Sequence, residues 1–304
     1  MWSHKIGATW VVLLVFAGMA VSGALSFVAG FNFHGIRGEN YTAGFRGSRF
    51  FVGDLVEAYI AYRGRKYQLE DPAKVRDLLD SVSSVRVGVY RPWRGYPLPV
   101  LSALRNVGLT VGTVSAGTPV DAVLKSYDVL IFPQGSYTKR ELPGGEVDRI
   151  RMMVKGGVGY IGICAGTVFA KQELGIVDAE LVPRVSLGLM RGSVSPVASW
   201  GQYASRNLMM FFANGGYFAT DHLNGWEPLI LSRNLGVVAI RGKYGRGNVV
   251  LFTVHPEGGG ITLNNQTVYA SGRDLETGGL LLQAILMARP TESGESGMLW
   301  SRRR

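Results

Sequence analysis

The chain has 304 residues, 47% hydrophobic and 18% charged, with a formal net charge of +10. Apolar content of that size excludes global disorder and supports one large domain or two small ones. One cysteine excludes an internal disulfide framework and any Cys-rich metal site. The four histidines (His4, His34, His222, His255) make no HExxH or HxH cluster, so no metal is assigned. Basic residues are scattered apart from Arg302, Arg303 and Arg304. No helix-turn-helix, RNP-like or zinc pattern stands beside them, so the basic balance reads as a solvated surface and not as a nucleic-acid site.

From the N-terminus, Ile6 to Phe33 carries no charged side chain. At 1.5 Å per residue such a run spans a hydrocarbon core of about 30 Å, and it exceeds the apolar region of a cleaved signal. The expectation is one N-terminal transmembrane helix within residues 1–33, a membrane anchor or signal segment. Lys5 precedes it and Arg37, Arg46 and Arg49 follow it, which leaves the side of the membrane open. Residues 34–83 read as a linker with short helices. One lies around Val52 to Tyr62. Another opens at Asp71-Pro72, a capping side chain followed by proline at the first helical position. Val75, Leu78, Leu79 and Val82 then form one apolar stripe.

Residues 84–289 alternate strands with helices. Val85 to Tyr90 is a β-branched strand, Pro99 to Val107 a helix ended by Gly108, and Leu109 to Val114 the next strand. A short helix from Pro119 to Lys125 leads to Tyr127–Phe132, a near-continuous apolar strand suited to a sheet buried on both faces. Val147, Ile150 and Val154 mark a helix that stops at Gly156-Gly157, and Gly159 to Ile163 is a strand entering Cys164. Residues 180–245 read as β-hairpins and loops. Gly247 to Val254 is a late buried strand, and a helix from Gly278 to Ala288 covers the sheet. Such alternation predicts an α/β fold, a mostly parallel sheet with helices on both faces. Residues 290–304 read as a polar basic tail.

Gly162-Ile163-Cys164-Ala165-Gly166 follows a strand and precedes a helix. It has the form of a G-x-nucleophile-x-G elbow, whose glycines let strand and helix approach closely. The turn lifts Cys164 above the carboxyl edge of the sheet and places its sulfur at a helix N-terminus, which favours thiolate. The Ala165 amide points toward an oxyanion, and Gly135, in the loop after Phe132-Pro133, is a second candidate donor. His255 and Glu257 stand one residue apart at the end of the late strand, where side chains at i and i+2 share a face. Glu257 then orients His255, and His255 takes the proton of Cys164. Asp221 and His222 read as a solvated turn, Tyr217 and Trp226 as packing residues, and Glu141 and Glu146 as helix-start charges.

Three stretches carry a family resemblance: Val129 to Gly135, Gly159 to Gly166, and Tyr244 to Glu257. On them the chain resembles the class I glutamine amidotransferase-like superfamily, most closely its biotin–protein ligase N-terminal-domain type. The resemblance covers about two thirds of the chain. It implies a flavodoxin-like sheet and a Cys164/His255/Glu257 triad acting through a thioester, with no cofactor. Glutamine-using members place a Gln four residues after the nucleophile, where this chain has Val168, and consecutive glycines where it has Pro133-Gln134-Gly135.

The functional expectation is a membrane-anchored, cysteine-dependent hydrolase or amidase. Its substrate would be a small-molecule or peptide-like carbonyl compound. The alternatives are a catalytically silent module of the same fold that binds a ligand or partner, and a glutaminase subunit serving a separate protein partner.

Overall fold

A computed structural model describes residues 31–34, 72–91, 94–95, 98–137, 142–183, 187–194, 207–213, 215–232, 235–257, 260–263, 266–269 and 275–290. The elements begin with β1 (Phe31–His34), α1 (Pro72–Val82), β2 (Val87–Arg91), β3 (Arg94–Gly95), α2 (Leu98–Asn106), β4 (Gly112–Ser115) and α3 (Val120–Ser126). Then come β5 (Val129–Phe132), β6 (Gly135–Ser136), α4 (Glu146–Gly156), β7 (Gly159–Ile163), α5 (Ala165–Gln172), β8 (Leu181–Val182), β9 (Leu187–Val194) and β10 (Asn207–Ala213). The last are β11 (Tyr217–Phe218), β12 (Glu227–Ser232), β13 (Gly236–Tyr244), β14 (Gly247–Phe252), β15 (Gly260–Leu263), β16 (Gln266–Tyr269) and α6 (Leu275–Ala288).

The main sheet runs β10-β9-β12-β13-β14-β7-β5-β2-β4. Strands β4, β2, β5, β7 and β14 pair parallel. Taken in chain order (β2, β4, β5, β7, β14), they stand 2-1-3-4-5, the flavodoxin-like order. From β14 outward the pairing is antiparallel, through β13, β12, β9 and β10. The segment expected as hairpins and loops therefore extends the same sheet.

Burial on both faces follows from the alternation along each central strand. In β5, Val129 and Ile131 join one core with Val100, Leu104, Leu281 and Ile285 of α2 and α6. Leu130 and Phe132 join the other, with Ile150, Val154 and Phe169 of α4 and α5. Phe132, fully buried, stacks between Tyr90 (4.8 Å) and Tyr160 (4.5 Å). Helix α1 packs against α6.

Strand β4 starts three residues later than the periodicity suggests, and the helix end before it explains why. Gly108 adopts φ 92° and donates to the Arg105 carbonyl, while Leu109 donates to the Leu104 carbonyl. This is a Schellman closure, which consumes Leu109 before extended pairing begins.

The expected N-terminal transmembrane helix requires correction. Among the described residues no helix is long and apolar enough to cross a membrane. Phe31 to Phe33, the end of the expected span, lie in β1, which pairs antiparallel with β15. Their backbone groups are thus matched across a ladder and not along a helix. Residues 1–30 lie outside the described residues, as do the helix expected around Val52 to Tyr62, Glu141, and the tail beyond Pro290. The assignments of a membrane location and membrane attachment fall with that helix.

Candidate active site

Cys164 caps the N-terminus of α5 at φ 52° and ψ −107°. Among the described residues only Asn224 shares a positive φ without being glycine. Such a conformation costs about 1–3 kcal/mol for a residue bearing a Cβ, so the surroundings must impose it. The Cys164 amide donates to the Phe252 carbonyl (2.7 Å), and the Cys164 carbonyl accepts from the amides of Thr167 (3.0 Å) and Val168 (3.1 Å). Both elbow glycines are sterically required. A Cβ on Gly166 would lie 2.0 Å from the Phe132 carbonyl oxygen, and one on Gly162 would lie 2.8 Å from Leu251 and 2.9 Å from the Gly166 carbonyl oxygen.

The parallel pairing of β7 with β14 sets Ile163 opposite Phe252. The chain beyond each strand end then emerges at the same carboxyl edge, Cys164 from one and His255 from the other. His255 and Glu257 are almost fully buried, at 2% and 3% exposure, with His255 Nδ1 2.9 Å from Glu257 Oε1. Their contact is the expected one, but its cause differs. Strand β14 ends at Phe252, so the two side chains meet through the bend and turn that follow and not through strand alternation.

Burial opposes a charge on His255. The Glu257 carboxylate, and after it Cys164 through charge and a side-chain hydrogen bond, outweigh burial and raise the imidazole from 6.5 to about 10. The structure thus brings Cys164, His255 and Glu257 into one buried cluster.

The two expected oxyanion donors are placed differently from each other. Ala165 is the first residue of α5, and its amide is one of the N-terminal amides without an intrahelical acceptor. Gly135 lies in β6, paired with Gly95 of β3, and not in an open loop; β6 packs against α5. Val168 is half-buried in the first turn of α5.

Other sequence candidates lie elsewhere. His222 is 57% exposed, 3.1 Å from Asp221 and 3.3 Å from Glu180, a solvated turn. Trp226 is buried and donates its indole N–H to Asp178 Oδ1 at 2.5 Å, and Tyr217 packs on the core. Glu146, expected as a helix-start charge, is buried in the first turn of α4. It accepts from the Tyr90 hydroxyl (2.9 Å), the Gly117 amide (3.0 Å) and Arg149 (2.7 Å).

Residues missed by the sequence reading surround the elbow. The Tyr160 hydroxyl donates to the Gly166 carbonyl at 2.6 Å, and the Tyr137 hydroxyl to the Pro133 carbonyl at 2.5 Å. Burial, then Tyr160, Tyr90 and Cys164, push Tyr137 well above the ordinary tyrosine range, so it stays a neutral donor. Tyr160 lies in the apolar run of β7 and Tyr137 in a polar stretch after β6, and neither position gives a sequence signal that separates it from a packing aromatic.

No protein-family model and no curated protein matches the chain. Solved structures do. PurLQS from Thermotoga maritima is 17% identical with a TM-score of 0.48, covering 66% of this chain and 97% of its own. The cytoplasmic protein STM3548 from Salmonella typhimurium is 10% identical with a TM-score of 0.47, covering 68% and 100%. A glutamine amidotransferase from Thermotoga maritima is 16% identical with a TM-score of 0.40, covering 57% and 76%. Structures similar to this chain thus include one described as a glutamine amidotransferase. The finer biotin–protein ligase type finds no support in them. Likeness at these values carries no inference about activity.

Two measurements follow from the geometry. Gly166→Ala is expected to destabilise the fold by at least about 2–3 kcal/mol in urea denaturation, because a backbone oxygen at 2.0 Å cannot yield cheaply. The raised His255 adds stability that is complete below about pH 6.5 and is lost as pH rises through about 10. Urea midpoints measured across that window should fall with pH, and the fall should shrink in Glu257→Gln.

Proposed function

We propose that this protein is a cysteine-dependent hydrolase or amidase that works through a thioester. The observation that carries the reading is a strained, backbone-clamped Cys164 in contact with a His255 whose proton is held by buried Glu257. A packing cysteine requires neither a positive φ nor two sterically forced glycines.

In the proposed cycle the thiolate of Cys164 attacks a substrate carbonyl carbon and forms a C–S bond. Electrons move onto the carbonyl oxygen, which the Ala165 amide stabilises at the positive end of α5. A second amide, that of Gly135, is the candidate partner. With Nδ1 held by Glu257, Nε2 is the ring nitrogen left for proton exchange. It protonates the leaving amine or alcohol as the C–N or C–O bond breaks. Water, deprotonated by the then-neutral His255, attacks the thioester, releases the acid and restores Cys164. A charged His255 at neutral pH suits the first half of this cycle, since the acid is already loaded.

The substrate is a small-molecule or peptide-like carbonyl compound. Val168 lines the first turn of α5 with an apolar side chain where glutamine-using relatives carry an amide, which favours a substrate with an apolar group there over glutamine. The same observation favours a second reading, a silent binding module that keeps the fold without turnover.

One experiment separates the two. The purified protein is incubated with a panel of activated amides and esters, quenched in acid and examined by mass spectrometry. An acyl adduct mapping to Cys164, absent in Cys164→Ser, is expected. No adduct from any member, with no product release, contradicts the hydrolase reading and leaves the binding module.

A further inference from the structure

Thr167 is fully buried in the first turn of α5, with its hydroxyl 2.7 Å from the Phe252 carbonyl and 3.0 Å from the Gly162 carbonyl. Those carbonyls belong to β14 and β7, the strands that deliver His255 and Cys164. The Phe252 oxygen also accepts the Cys164 amide at 2.7 Å. A carbonyl has two lone pairs, so it can take both donors. One atom at the last residue of β14 is therefore tied to the nucleophile's own backbone and to the helix that follows it.

The next residue is fixed from the opposite side. Thr253, fully buried, donates its amide (2.9 Å) and its hydroxyl (3.2 Å) to the Val238 carbonyl of β13. A Cβ on Gly215 would lie 1.8 Å from the Thr253 carbonyl oxygen, so that backbone packs there without slack. Ladder pairing between β7 and β14 ends at Ile163 and Phe252. At that end of the ladder, the Thr167 hydroxyl is a side-chain link between the elbow and the strand leading to His255.

A buried hydroxyl is costly unless bonded, and valine would fill the same volume without that cost. We infer that Thr167 is a positioning residue, whose hydroxyl sets the separation of Cys164 from His255 by bridging the ends of β7 and β14. The inference rests on the proposed Cys164–His255 chemistry. Among the described residues, the titratable groups acting on His255 are Cys164 from the elbow and Glu257 from its own segment. A shift of Phe252 therefore changes one of those contacts and leaves the other intact.

The test is the rate of Cys164 alkylation by iodoacetamide across about pH 5–11 (a window spanning ordinary thiol titration and the raised His255), in wild type, Thr167→Val, Thr167→Ser and His255→Ala. Thr167→Val is expected to slow alkylation at neutral pH by about tenfold and to move the inflection of the profile toward that of His255→Ala. Thr167→Ser, which keeps the hydroxyl, is expected to return to within about twofold of wild type. If the valine variant does not fold, Thr167→Ala removes the same hydroxyl with less bulk. A profile for the hydroxyl-less variant that superimposes on wild type, with only the melting temperature lowered, overturns the inference. So does a serine variant as slow as the valine one. If His255→Ala itself matches wild type, the failure lies in the Cys164–His255 reading and not in Thr167.

Discussion

The parallel pairing of β7 with β14 is the constraint on which the site depends. A parallel ladder aligns two carboxyl ends at one edge, so residues far apart in sequence leave the sheet side by side. Ile163 opposite Phe252 sets that alignment. Everything beyond it is local. The Cys164 amide closes onto the Phe252 carbonyl, α5 begins at once, and the bare Cα of Gly166 seats against the Phe132 carbonyl. Strain in Cys164 is sustained because the helix on one side and the two neighbouring strands on the other leave no room to relax it.

Electrostatics within this frame are decided by competition. Removing His255 from water disfavours its charge, and a lone buried histidine would be neutral. Glu257 reverses the outcome, and Cys164 adds to it. The carboxylate is itself buried at 3% exposure, so its charge acts with little screening. The arrangement favours a proton on the ring next to the sulfur. The aromatic layer of Tyr90, Phe132, Tyr137, Tyr160 and Phe169 packs behind the elbow on the other side.

Much of this was legible in the sequence because it rests on local steric or periodic rules. The run Val129 to Phe132 announces a strand buried on both faces, and Gly162 and Gly166 around Cys164 announce a close strand–helix approach. The pairing of His255 with Glu257 was legible too, although a turn and not a strand brings them together. What escaped depends on tertiary partners. Glu146 looks like any acidic residue in a first turn until Tyr90 of β2 and Gly117 of the turn after β4 arrive. Thr167 looks like a neutral helix residue until Phe252 is beside it. Gly135 has the sequence of a loop glycine, and only its pairing with Gly95 makes it a ladder residue. At the N-terminus, composition alone suggested a spanning helix. Apolar residues serve a strand equally well, and Phe31 to Phe33 are drawn into one by β15.

The account stands on a His255 that carries its proton because Glu257 and Cys164 hold it there. Nuclear magnetic resonance titration of the labelled imidazole ring measures this directly, in wild type and in Glu257→Gln. The account predicts a His255 ring that titrates near 10 in wild type and at clearly lower pH once the carboxylate is gone. A ring that titrates near the ordinary histidine value of about 6.5 in both proteins would contradict it.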